Sequence, residues 1–133
     1  MAGTLLLLKK AGYEIHSLTV ASGNCGGAEY DGPTLSTIRN AEARAAAKIL
    51  GAQFHRCLKD DLEIFYDLDT LRRLAAIIRE VKPTVVLTHS PQDYMEDHTN
   101  TCRLAVTAAF ARGMPNFKTI PSRAAANNDT VVY

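Results

Sequence analysis

The chain has 133 residues, with 15 Lys and Arg, 14 Asp and Glu and four His, for a formal net charge of +1. A hydrophobic fraction of 47% and a charged fraction of 22% describe an ordinary globular chain, long enough for one core and one domain. Near-neutral charge offers no electrostatic case for nucleic acid or an anionic membrane, and no apolar run approaches the roughly 20 residues of a membrane-spanning helix. The run Leu5-Leu6-Leu7-Leu8 is too short for the apolar region of a signal peptide, and Lys9 and Lys10 follow it where a signal peptide places charge before. Cys25, Cys57 and Cys102 form neither a close metal-binding pair nor an even disulfide set, so a reducing, cytoplasmic setting is the default.

In chain order the apolar pattern alternates between helical and strand periods, the mark of an α/β protein. Residues 3–11 read as a short helix stopped by Gly12, and 14–21 as a strand. A glycine-rich loop follows at Ser22-Gly23-Asn24-Cys25-Gly26-Gly27. An Ala-, Arg- and Glu-rich helix is predicted over 35–50, with Gly51 at its stop position, and a short strand over 53–58. Asp69 is the expected N-cap of the next helix, with Leu71, Leu74, Ile78 and Val81 on its apolar face. Pro83 ends that helix, and the β-branched run 84–88 reads as a central strand of a parallel sheet. After a polar loop, Asp97 is expected to cap a helix from about His98 to Arg112. Residues 113–129 read as loop and 130–133 as the start of a strand.

Ligands in open parallel sheets bind beyond the carboxyl ends of the strands, which here means the loops 22–31 and 89–98. The second reads His89-Ser90-Pro91-Gln92-Asp93-Tyr94-Met95-Glu96-Asp97-His98, with two imidazoles and three carboxylates in ten residues. Such a loop suits a divalent metal, since imidazole and carboxylate both ligate zinc; the alternative is a solvated loop in which Asp97 merely caps a helix. On the helix 35–50, Ile38, Glu42, Ala45 and Ile49 share a face, which puts a carboxylate on an apolar stripe and calls for a partner such as Arg39. The alternative is an ordinary surface pair. Asp60-Asp61 reads as a solvated turn and His16 as a structural residue on a strand face. A metal pair of His98 with Cys102, one turn on, is the weaker option. The glycine loop lacks the spacing of a dinucleotide fingerprint, and no Lys-Ser/Thr follows it.

The blocks "GYEIHSLTVASGNCGG", "RNAEARAAAKILGA" and "PTVVLTHSPQDYMEDHTNT", after an opening Gly-Thr-Leu helix, resemble the PIG-L/LmbE-like deacetylases. The likeness covers most of residues 3–110. It implies a Rossmann-like, three-layer α/β fold with a mainly parallel sheet, one zinc ion, and hydrolysis of an N-acetyl group from an amino sugar. The partner it implies is a small N-acetylated sugar, with no nucleic acid and no membrane, and a homo-oligomer stays open. On this resemblance His98 is the metal ligand that closes the Asp-His element, with Asp97 before it as the catalytic carboxylate. Arg39 matches the substrate-contacting Arg of the Arg-x-x-Glu helix, Glu42 its Glu, and Asp60 a sugar-holding Asp, the last more loosely. Many members carry a His three residues before the closing ligand, where it stabilises an oxyanion or protonates the leaving amine; this chain has Met95, which does neither.

The family's His-Pro-Asp-Asp motif, which brings two further zinc ligands and the general base, belongs just before the Gly-Thr-Leu helix, and this sequence begins at Met1-Ala2-Gly3-Thr4-Leu5. The expectation is therefore a single partial domain over 1–133, without its first strand and its C-terminal part, and impaired in catalysis. Zinc is expected to bind it weakly or not at all, because a catalytic site normally has three protein ligands and only His98 is matched. In-frame coding sequence upstream of Met1 is expected to encode the strand and motif. Two other classes stand beside this reading: a carbohydrate-binding relative without turnover, and a nucleotide-binding Rossmann-like module resting on the glycine loop alone.

Overall fold

The structure, a computed structural model, describes residues 1–133. Its elements are α1 (Ala2–Lys10), β1 (His16–Leu18), α2 (Gly32–Leu50), β2 (Gln53–His55), α3 (Leu68–Val81), β3 (Val85–Val86), α4 (Glu96–Ala111) and β4 (Val131–Val132). They divide into two compact units, Met1–Asp61 and Leu62–Tyr133. Each unit contains one strand–helix–strand crossover with parallel pairing, as the alternating periods predict.

In the first unit β1 runs parallel to β2, His16 opposite Gln53 and Leu18 opposite His55, and a bridge between Ala21 and Lys59 prolongs the pair. The regular strands are shorter than the apolar periods suggest. α2 starts at Gly32 rather than Leu35, because Asp31 caps it: its carboxylate accepts the Thr34 amide at 2.9 Å. Pro33 fits the first turn, where its missing N–H has no intrahelical partner to lose. Gly51 ends the helix in the left-handed conformation at φ 62°. The buried residues of α2 are Leu35 and Ala47, while Glu42, Ala45 and Ile49 are exposed, Ile49 at 83%. The expected buried carboxylate stripe is thus corrected. With alanine at so many positions, the apolar phase of this helix is ambiguous in sequence, and Glu42 stands on the solvent side. α1 packs on α2 with Leu5 and Leu8 half-buried and Leu6 and Leu7 exposed.

The second unit is built on α3 against α4. Leu71, Leu74 and Ile78 are buried as the periodicity predicts, with Val81 half-buried. Leu104, Ala105, Ala108 and Ala109 of α4 are buried as well. Each fully buried leucine contributes about 1.5–3 kcal/mol. The cap of α3 is Asp67, not Asp69; its carboxylate accepts both the amide and the hydroxyl of Thr70, at 2.8 and 2.7 Å. Asp69 instead sits in the first turn and pairs with Arg73 at 2.8 Å. β3 and β4 pair in parallel, Val85 with Val131 and Val86 with Val132, and the Thr88 amide donates to Tyr133 at 2.9 Å. Arg79 is buried beneath the end of α4 and donates to four backbone carbonyls, those of Ala111, Arg112, Met114 and Arg123. No helix is long and apolar enough to cross a membrane. All three cysteines are free thiols.

Candidate functional site

The loop 89–95 leads from β3 into α4, and Asp93 organises it. Its Oδ1 accepts the amide of Met95, two residues on, at 2.9 Å, an Asx turn that sets the chain into the helix. α4 therefore starts at Glu96 with Met95 as its N-cap, and the cap assigned to Asp97 is corrected. Asp97 lies inside the first turn, buried, and its Oδ2 accepts the Leu62 amide at 2.7 Å. Leu62 is itself left-handed, at φ 64°, so this bond pins a residue in a conformation that a leucine disfavours.

His98, in the same first turn, has its Nδ1 at 3.2 Å from Asp93 Oδ2. The ring of His89 stacks on that of His98, with centroids 4.2 Å apart and planes inclined by 3°, and the exposed Tyr94 meets His98 edge-on at 6.4 Å. The Met95 amide, first, and the His98 hydrogen bond hold the Asp93 carboxyl below the usual carboxylate range, against some burial, so it is ionised at neutral pH. Burial, and after it the neighbouring His98, lowers the His89 imidazole, which therefore stays neutral at pH 7.

His89, Asp93 and His98 bring potential ligand atoms within 4.8 Å of one another. Two imidazoles and a carboxylate are the donor chemistry of a zinc site. The stacking limits how they can be used. A metal lies in the plane of an imidazole that ligates it, and two face-to-face rings at 4.2 Å have no common plane in which to place an ion. Of the two histidines, one at a time can therefore ligate in this arrangement, and His98 is half-exposed with Asp93 behind it. The residues fit a divalent ion through His98. Cys102 is buried and is not one of the three residues that come together.

Arg39 and Asp60 belong to the first unit, Asp97 and His98 to the second. Arg39 donates to Glu42 at 2.5 Å in an exposed pair. It borders an open, largely apolar cavity of about 350 Å³ with Ser22, Asn40, Phe54 and Cys57. Asp60 accepts the buried Ser22 hydroxyl at 2.5 Å. Asp61, read from sequence as part of a solvated turn, clamps the glycine loop: it accepts the amides of Gly23 and Cys25 at 2.7 and 3.0 Å, and its own amide donates to Asn24 at 2.9 Å. A glycine-rich loop presents bare amides that a neighbouring carboxylate can collect, and the paired aspartates are the available signal. His16 is bonded as a structural residue, with Nδ1 at 2.9 Å from His55 Nε2 and Nε2 at 3.4 Å from Glu14.

Gly23 sets the place of Arg39. It lies at φ 78°, and a Cβ there would come within 2.8 Å of the Arg39 Cγ. Gly23→Ala is therefore expected to destabilise the chain by about 1–3 kcal/mol, whereas Arg39→Ala, which removes an exposed i,i+3 pair, changes stability by roughly 0.5 kcal/mol or less. Urea unfolding of the two variants measures the difference, and equal losses would show that the loop adapts without strain.

Comparison with known proteins now bears on this geometry. The sequence signature of the PIG-L family, described as GlcNAc-PI de-N-acetylase, matches residues 1–110 and so runs across both units. A curated relative, 4-oxalmesaconate hydratase of Pseudomonas putida, is 33% identical over 124 residues, covering 87% of this chain and 48% of its own. Among solved structures, 4-carboxy-2-hydroxymuconate hydratase of Pseudomonas putida superposes with a TM-score of 0.80 at 30% identity, over 95% of this chain and 55% of that one. N,N'-diacetylchitobiose deacetylase of Pyrococcus horikoshii superposes with a TM-score of 0.87 at 24% identity, over 99% and 53%, a likeness of fold. The chain thus spans about half the length of these relatives. These likenesses bear out the Rossmann-like α/β fold expected from the sequence blocks, and the match over residues 1–110 makes this chain a member of the PIG-L family.

Proposed function

We propose that this PIG-L chain serves a zinc-dependent hydrolase that removes an N-acetyl group from an amino sugar or a related N-acyl substrate. The observation that carries the reading is the family match through the His98 loop, where one imidazole is backed by a carboxylate and half-exposed. His98 would hold the ion. A divalent ion supplies there a Lewis acid that makes water nucleophilic near neutral pH. Asp97, adjacent in the first turn of α4, is the candidate catalytic carboxylate. In the first unit, the Arg39 guanidinium and the Asp60 carboxylate are the candidate sugar contacts, one donating and one accepting hydrogen bonds. Three free cysteines agree with a cytoplasmic setting.

A second reading is hydration of an unsaturated carboxylate, favoured by the 33% identity to a hydratase and by Met95. A thioether has no proton to give a departing amine, and hydration expels none. Incubating the chain at saturating zinc with N,N'-diacetylchitobiose and, separately, with 4-oxalmesaconate decides between them. Slow, zinc-dependent acetate release, lost in His98→Ala, is the expected result, slow because only one of the three ligands of a catalytic zinc site is matched. Loss of the conjugated absorbance of 4-oxalmesaconate without any acetate release would replace the first reading with the second.

A further inference from the structure

An imidazole offers two nitrogens, and which of them can face a metal depends on where its proton sits. His98 Nδ1 is 3.2 Å from Asp93 Oδ2, and an ionised carboxylate only accepts hydrogen bonds. An ionised carboxylate at that distance favours the proton on Nδ1 of the neutral ring, which leaves the lone pair on Nε2. Asp93 is well placed to impose this choice because it is itself held: Oδ1 accepts the Met95 amide at 2.9 Å, and its carbonyl accepts the Thr99 hydroxyl at 3.4 Å. His89 covers the face of the His98 ring, so a flip exchanging the two edges would have to break the stack.

The geometry points to Asp93 as a positioning residue that fixes His98 as the Nδ1–H tautomer and turns Nε2 toward a divalent ion, with His89 a stacking plate and not a ligand. This rests on His98 being the residue that holds the metal. A carboxylate behind a ligating histidine orients the ring and raises its basicity, and removing one typically costs 10–100-fold in metal affinity.

The test reads side-chain ¹⁵N resonances of the histidines in the metal-free 133-residue chain at about pH 8, above the ordinary imidazole pKa of about 6.5. The expected result is a protonated Nδ1 and an unprotonated Nε2 on His98. Asp93→Ala should release that preference, and Asp93→Asn, whose amide oxygen can accept the same hydrogen bond, should keep it. An Nε2–H tautomer in the native chain, or a tautomer unchanged in a folded Asp93→Ala, overturns the assignment. Should Asp93→Ala fail to fold, the native chain and Asp93→Asn still decide. Zinc titrated against the same resonances should bind Asp93→Ala roughly 10–100-fold more weakly and His89→Phe, which keeps a flat ring, with native affinity. An equal loss in His89→Phe would make His89 a ligand and overturn its part. A native chain in which zinc leaves the His98 resonances unmoved would sink the metal reading, while the tautomer measurement still judges the Asp93–His98 pair.

Discussion

Replacing Arg79 with methionine is expected to lower the stability of the second unit by about 2–5 kcal/mol and its melting temperature by on the order of 10 °C. The guanidinium is 4% exposed and donates at 2.6–3.1 Å to the carbonyls of Ala111, Arg112, Met114 and Arg123. Three of these carbonyls also accept a backbone amide, Ala111 from Met114, Arg112 from Ala126 and Met114 from Phe117, so the guanidinium adds a second donor to each and ties the end of α4 to the following loop. Hydrogen bonds from a charged donor are worth about 1.5–3 kcal/mol each, and part of that is offset because burying the charge is itself unfavourable. Arg79→Lys keeps the charge but replaces a planar fork of five donors with a compact ammonium, which cannot span four acceptors. The expected order of stability is native, then Arg79→Lys, then Arg79→Met, read from urea unfolding. Native stability in Arg79→Met would mean that the backbone amides and water satisfy those carbonyls equally well.

Arg79 also shows where sequence reading stops. Its partners are backbone carbonyls 32 to 44 residues away, and a main-chain acceptor leaves no trace in the side-chain pattern. The helical face of Leu71, Leu74 and Ile78 is legible because large apolar residues recur at helical spacing, and Gly51 because a left-handed stop favours glycine, although α3 closes on a left-handed Lys82. The apolar phase of α2 is not legible, because its alanines blur the difference between buried and exposed faces. Cap residues were displaced by two positions at both α3 and α4, since each of these starts has more than one Asp within reach and geometry alone decides which of them bonds the backbone. The concentration of ligating groups between His89 and His98 was visible in composition, and the geometry does bring His89, Asp93 and His98 together. Sequence could not show that the two imidazoles stack instead of converging, because ring orientation depends on the Asx turn that Asp93 makes with Met95.

Asp97 is expected to separate stability from activity when replaced in two ways. In Asp97→Ala the Leu62 amide loses its acceptor, at about 1–3 kcal/mol, and the first turn of α4 loses a negative charge that favours its N-terminus by about 0.3–1 kcal/mol. Leu62 then has less to hold it at φ 64°, and the total loss is about 1–4 kcal/mol. Asp97→Asn keeps an oxygen that accepts the same amide and is expected to melt close to the native chain. If the carboxylate also moves a proton in the reaction, Asp97→Asn should nevertheless lose about 10²–10⁴-fold in kcat, because an amide cannot exchange that proton. Thermal melts and turnover measured on the same two proteins give four numbers that a single role cannot satisfy. Native turnover in a stable Asp97→Asn would assign this residue to holding Leu62 and leave the chemistry to groups other than the Asp97 carboxylate.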